Sequence, residues 1–289
     1  MQPLLMISAC ILMATLLSMN ASAAVWNIVY PRALADGDVR NDYPVALLTL
    51  ALNKTGVRYQ LTPSDRIMLQ GKALRQLREN RTVNVVWSMT DKQREMDLLP
   101  IRVPINKGLI GWRVFLVHRD KLSAFAGVKT LGTLQGYIPV QGEDWPDTKI
   151  LQSNGFDVET VPDFLESFGM ISRYQADFFP RSVIEVLSEL KMNSIDPDIV
   201  LEKSLAVRYP SAMYFFVNRA NSTLAKLIKT GLERAIEDGS FDALFEVNYS
   251  PILEQLALSE RTVFELENTL MTADTQLQRS ELWYSPNQP

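Results

Sequence analysis

Apolar residues along this chain switch repeatedly between a period of two and a period near 3.6. Trp26-Asn27-Ile28-Val29-Tyr30 reads as a short first strand, and Pro31 to Asn41 as a loop. From Tyr43 to Thr55, Val45, Leu47, Leu48, Leu50, Ala51 and Leu52 recur at helical spacing, and Gly56 supplies a stop. Val57 to Leu61 alternates as a second strand, Gly71 to Arg81 is helical, and the β-branched run Thr82 to Trp87 predicts a third strand. A βαβαβ order of this kind calls for a mostly parallel sheet covered by helices.

The cycle then restarts. Leu109 to His118 is an extended apolar strand candidate. A helix over Val128 to Leu131, a strand over Tyr137 to Val140 and a helix over Asp147 to Asn154 follow. Phe156 to Val161 predicts a strand, Phe164 to Tyr174 a helix, Asp177 to Phe179 a short strand and Val183 to Leu190 a helix. Leu201 to Val207 and Ala212 to Val217 read as strands, and Leu224 to Asp238 as an amphipathic helix ended by Gly239. Beyond Pro251, Ile252, Leu253, Leu256, Val263, Phe264, Leu266 and Leu270 keep a helical spacing, and the terminal Leu282-Trp283-Tyr284 should dock on the body. Two α/β cycles predict two α/β lobes, with a ligand expected where strand ends face a cleft.

At 289 residues and 47% hydrophobic, the chain is long enough for two cored lobes. A formal charge of -4, with 29 Lys+Arg dispersed among 33 Asp+Glu, gives no footprint for nucleic acid or for a polybasic membrane patch. The single Cys10 lies in the apolar N-terminal run, and the single His118 ends the strand candidate at Val117, so no disulfide, clustered zinc site or cofactor is expected. Catalysis by a cysteine–histidine or serine–histidine pair would need His118 itself, and a strand-end role suits it better. Met1 to Ala23, with an apolar run from Leu4 to Leu17 and Ala21-Ser22-Ala23 at its end, reads as a cleavable secretory signal, which places the mature chain in a periplasm.

Four stretches carry a resemblance to the family-3, amino-acid-type solute-binding proteins of the type II periplasmic binding fold. Val83 to Arg94 is similar to that family's strand followed by S-x-T-x-x-R. Pro104 to Val117 resembles its crossover strand, and Val128-Lys129-Thr130-Leu131-Gly132 through Val140-Gln141-Gly142 its opening of the second lobe. Tyr214 to Tyr249 resembles its return to the first lobe. The resemblance implies lobe 1 over 24–115, lobe 2 over 116–205, and a return with a helical tail over 206–289, hinged near 113–118 and 203–210.

The contacts it implies are altered here. The position of the ligand-gripping arginine holds Gln93, with Arg94 one residue later, so that either Arg94 is presented or the anchor is gone. Two carboxylates, Glu143 and Asp144, follow Gln141-Gly142 where an anionic group would dock. The usual ammonium-binding acid is Ser182, preceded by Arg181. The candidate ligand contacts are therefore Tyr30, Trp87, Ser88, Thr90, Gln93, Arg94, Gln141, Gly142 and Arg181. Each has a plainer role open to it: core packing for Trp87, N-capping for Thr90, an ion pair with Glu185 for Arg181.

The resemblance implies a monomeric binding protein, not an enzyme, that closes on a small polar ligand and is read by an ABC permease or a membrane sensor. Two alternatives stay open: an enzyme on the same fold, dehydratase-like, with Glu143 or Asp144 as a burial-tuned general acid, or a module for protein partners that has lost its small ligand.

Overall fold

The computed structural model describes residues 24–34, 38–192 and 194–286. The expected signal, Met1 to Ala23, lies outside these residues.

Strand β1 (Trp26–Arg32) pairs in parallel with β2 (Tyr59–Ile67) across helix α1 (Asp42–Thr55), whose C-cap Gly56 sits at φ 71. That left-handed turn is the stop the sequence predicts. Helix α2 (Gln70–Arg78) leads to β3 (Val85–Met89). Asn84 ties β3 to β1, donating its N–H to Val29 O (2.8 Å) and accepting the Val29 N–H on Oδ1 (2.8 Å). Helix α3 (Lys92–Asp97) and strand β4 (Leu99–Ile101) follow. Both β3 and β4 flank β11 (Met213–Val217) antiparallel, and these strands form the sheet of lobe 1.

Lobe 2 is organised around β5 (Trp112–His118), whose first six residues are buried. Along one edge β5 pairs antiparallel with β8 (Phe178–Ser182), and along the other with β9 (Ile199–Leu201) and the start of its pairing with β10 (Leu205–Arg208). A parallel pair, β6 (Val140–Gly142) and β7 (Glu159–Val161), extends the layer beyond β8 through a Pro139–Phe178 bridge. The helices of this lobe are α4 (Leu122–Ala126), α5 (Leu131–Leu134), α6 (Pro146–Ser153), α7 (Phe164–Ser172) and α8 (Val186–Glu189). The expected helix over Val128 to Leu131 starts only at Leu131, because the Thr130 hydroxyl caps the Thr133 N–H (3.1 Å) and sets the first turn there.

Helices α9 (Ser222–Glu237) and α10 (Ser240–Leu256), separated by Gly239 at φ 78, return the chain to lobe 1. Helix α10 continues past Pro251. The carbonyl that loses its partner there is that of Val247, a residue 78% exposed, on the solvent side of the helix.

Past Ala257, at φ 46, the expected helical tail does not form. Thr262–Glu265 is instead strand β12, paired in parallel with the open edge of β10. Arg261 fixes its start, donating to the carbonyls of Leu256 (2.9 Å), Glu202 (2.7 Å) and Leu205 (2.9 Å). The chain then touches both lobes. Glu267 exchanges hydrogen bonds with Asn154 of lobe 2, whereas the carbonyls of Thr269 and Leu270 accept from Lys92 of lobe 1. Trp283 docks on Gly108, and the Tyr284 N–H donates to Lys107 O (2.7 Å), so the aromatic end packs on the body as its composition requires. Among the described residues, no helix is long and apolar enough to cross a membrane.

Lobe 1 depends on one close approach. A Cβ on Gly231 of α9 would lie 1.9 Å from the Ala51 carbonyl oxygen of α1. Gly231→Ala is therefore expected to destabilise the protein by about 1–3 kcal/mol or more through overpacking, read as a lower midpoint in urea unfolding.

Candidate functional site

A cavity of about 720 Å³ opens between the lobes. Lobe 1 lines it with the β1–α1 loop, the start of α2 and the end of β3; lobe 2 contributes the loop after β6, the start of α7 and the end of β8. Arg113 of β5 lies at its floor, and Tyr249 of α10 closes one side.

Arg40, Arg113 and Arg181 bring charge to this wall, and each is met by carboxylate. Arg40 is bidentate on Asp38, with Nε to Oδ1 at 2.7 Å and Nη2 to Oδ2 at 2.8 Å. Arg113 reaches Asp147 at the first turn of α6 (2.5 Å) and stands 3.9 Å from Glu185. The Tyr209 hydroxyl donates to the same Asp147 carboxylate. Arg181 takes Glu189 with Nε (2.8 Å) and Nη2 (2.5 Å), and Glu185 with Nη2 (3.1 Å), while its guanidinium stacks over Trp145 and Phe179 (both 4.9 Å).

Burial pulls the pKa of Arg113 and of Arg181 down, but the facing carboxylates more than reverse it and hold both above the ordinary arginine value. Burial likewise raises Asp38, and Arg40 outweighs it to leave that carboxyl below its usual range. Desolvation dominates at Tyr209 and lifts its hydroxyl far above the ordinary value.

The sequence-derived contacts divide. Trp87 and Gly142 line the cavity, as does Arg181, but Arg181 is 2% exposed and committed to Glu185 and Glu189, so the ion-pair role open to it is the one it fills. Tyr30 packs on Trp87 (ring centroids 5.7 Å) beside a shallower recess and does not line this cavity. Ser88 is buried and accepts from Arg94 Nη1 (2.6 Å). Thr90 turns away and donates to Glu95 (2.7 Å), leaving the cap of α3 to Asp91, whose carboxylate accepts the Arg94 N–H (2.7 Å).

Gln93 is exposed and Arg94 faces lobe 2: its Nη2 donates to Gln70 Oε1 and to the Asp144 carbonyl across the gap (both 3.1 Å). Burial lowers the Arg94 pKa against the pull of Asp91, Asp144 and Asp147. Gln141 is buried and donates to Pro180 O (3.1 Å), with Oε1 unpaired and the residue off the cavity wall. Glu143 and Asp144 are exposed at the rim, without the burial a general acid would need.

Arg113, Asp147, Glu189, Arg40 and Tyr209 escaped the sequence reading. A charged residue inside the run Trp112 to His118 was the available signal, since arginine in a fully buried strand needs a partner.

No family model and no curated sequence matches the chain. Solved structures do. It superposes with a TM-score of 0.55 on an arginine-binding protein from T. maritima, at 17% identity over 78% of this chain and 95% of that one. An arginine-specific periplasmic binding protein of Salmonella typhimurium gives 0.56 at 14% identity, covering 78% of this chain and all (100%) of the other. A histidine kinase sensor domain similar to periplasmic binding proteins gives 0.55 at 14% identity over 78% and 96%. The chain has the two-lobed periplasmic-binding-protein fold.

Asp147→Asn is expected to cost about 3–5 kcal/mol by stranding the buried Arg113, measured by denaturant unfolding. Because the folded pKa of Asp38 is lowered, its contribution is complete above about pH 4 and is lost as the pH falls through the lowered value. Asp38→Asn should accordingly lower the melting temperature at pH 7 and flatten its decline on the acid side, followed by calorimetry from pH 7 to 3.

Proposed function

We propose that the chain is a periplasmic ligand-binding protein, exported by the signal Met1 to Ala23, that holds a small polar ligand between its lobes. The observation that carries this reading is the cavity of about 720 Å³, walled by both lobes with β5 at its floor. A ligand seated there touches both lobes only when they are together, so it stabilises the closed arrangement by its differential affinity. The neighbours named for arginine binding are consistent with a binding role and lend no support to an enzyme.

The closed form would be presented to a membrane partner. An ABC permease and a membrane sensor are the two candidates, and the likeness to a histidine kinase sensor domain keeps the second beside the first. The hinge is proposed at 113–118 and 203–210, with lobe 1 over 24–115 and the return from 206, and lobe 2 over 116–205; the boundary falls inside β5, and within the tail β12 rejoins the sheet of β5 and β10. Contact across the gap by Arg94 and by Arg40, whose guanidinium lies 4.9 Å from the Phe164 ring, gives the closed state contacts of its own.

The test is a thermal-shift screen of the chain from Ala24 against amino acids, peptides, sugars, carboxylates and nucleotides. At a concentration of 100 Kd, a ligand selective for the native state adds about 2.7 kcal/mol, a rise of several degrees. The same compound should reduce the radius of gyration in X-ray scattering. A melting temperature unmoved by every class would overturn the reading.

A further inference from the structure

If the cleft is the ligand site proposed above, its charges determine what it would hold. Five charged side chains form one cluster at and behind the cavity wall. Arg113 meets Asp147 (2.5 Å), Arg181 meets Glu189 (2.5 Å), and Glu185 stands beside both guanidiniums, at 3.9 Å and 3.1 Å. Three carboxylates against two guanidiniums leave a net charge of -1. The members differ in access. The side chains of Arg113, Arg181, Asp147 and Glu189 are 2–6% exposed, whereas that of Glu185 keeps 21% and lines the cavity. Both arginines meet Glu185 at Oε2, and among the described residues no donor reaches its Oε1. Of the five, the surplus acid is therefore the one open to a ligand.

The neighbouring charges do not cancel that surplus. Arg40 lies within the field of Glu185 and Glu189 but is bidentate on Asp38. Arg94 is committed to Ser88, the Met89 carbonyl, Gln70 and the Asp144 carbonyl. Around the opening, Arg32, Lys72 and Arg75 are matched in number by Asp42, Glu143 and Asp144, and all of these are exposed and act through water. The rest of the wall is apolar and aromatic, with Trp87, Met89, Ile105 and Tyr249, and Tyr249 stands within the field of Glu185. Ring faces attract a desolvated cation. A cation at this wall brings the cluster to neutrality, and the low dielectric strengthens that attraction. A carboxylate in the same place would be buried against net negative charge, with these guanidiniums already taken.

We propose that the cleft takes an organic cation without a carboxylate, an amine or guanidine on an apolar body, with Glu185 as its counter-charge. The cationic group donates to Glu185 Oε1, while Oε2 stays with Arg181 and Arg113. The α-carboxylate of an unmodified amino acid finds no free guanidinium at this wall among the described residues.

Four compounds sharing one ring separate the alternatives: tryptamine (cationic), tryptophol (neutral), indole-3-propionate (anionic) and L-tryptophan (zwitterionic). Titrated calorimetrically into the chain from Ala24 at pH 7, tryptamine should bind at least about tenfold more tightly than the other three. Equal or tighter binding of any of those three overturns the inference and leaves the binding reading standing. Should all four be silent, the thermal-shift library extended by carboxylate-free amines and guanidines decides. A shift from such cations alone upholds the inference. A shift only from sugars, carboxylates or amino acids overturns it and leaves the binding reading standing, and no shift from any class overturns both.

Glu185→Gln gives the second arm. It leaves Arg113 with Asp147 and Arg181 with Glu189, a balanced cluster. The preference for the amine over the alcohol should fall from at least about tenfold to near parity in this variant. A preference that survives, whether both affinities hold or both drop together, removes Glu185 as the counter-charge.

Discussion

Arginine buried between two lobes must be neutralised where it stands, and this requirement organises the structure more than any single apolar contact. On β5 and β8 Arg113 pairs with Ser182 and Val114 with Arg181, and Glu185 stands 3.9 Å from Arg113 and 3.1 Å from Arg181, so the two guanidiniums are linked through a shared acid. Their acids come from elsewhere: Asp147 from the first turn of α6, Glu185 and Glu189 from the short α8 that follows β8. Each helix must arrive at one position for the charges to meet. Arg40, carried by lobe 1, is paired locally with Asp38 but lies within the field of Glu185 and Glu189, so the electrostatics of the two lobes are joined across the cleft.

The alternating periods of the sequence predicted the two α/β lobes and the place of most elements, but not the sense of the sheets: β11 pairs antiparallel with β3 and β4, and β5 antiparallel with β8, β9 and β10. β1, α1, β3, α6 and α7 lie within a few residues of their expected spans because their patterns are long or their ends are chemically marked, by Gly56 after α1 and by Pro146 at the start of α6. The errors share a cause in tertiary context. One reading stopped too soon: the strand expected over Asp177 to Phe179 runs on through Pro180, which is buried in β8 between buried neighbours. The helical spacing after Ala257 was a coincidence of composition, and the unfilled edge of β10 decided the matter in favour of a strand.

The site was less legible than the fold. Trp87, Gly142 and Arg181 were placed on the cavity because strand ends face the cleft in such folds. Thr90 and Gln93 were not, since a single residue of phase at the start of α3 settles which side chains face lobe 2, and Asp91 takes the cap. The ion-pair partners lie far apart in sequence, Arg113 and Asp147 among them. Periodicity carries no information about such pairs.

The strand Thr262–Glu265 carries a consequence for how the molecule is assembled. A chain that emerges or crosses a membrane N-terminus first presents β5 and β10 long before β12, so β10 waits with a bare edge until α9 and α10 have been delivered. Lobe 2 then completes its sheet with residues that come after nearly all of lobe 1. The two lobes cannot mature in succession as separate domains do, and a break in the backbone between Arg261 and Lys107's partner Tyr284 would leave each lobe with an unfinished border.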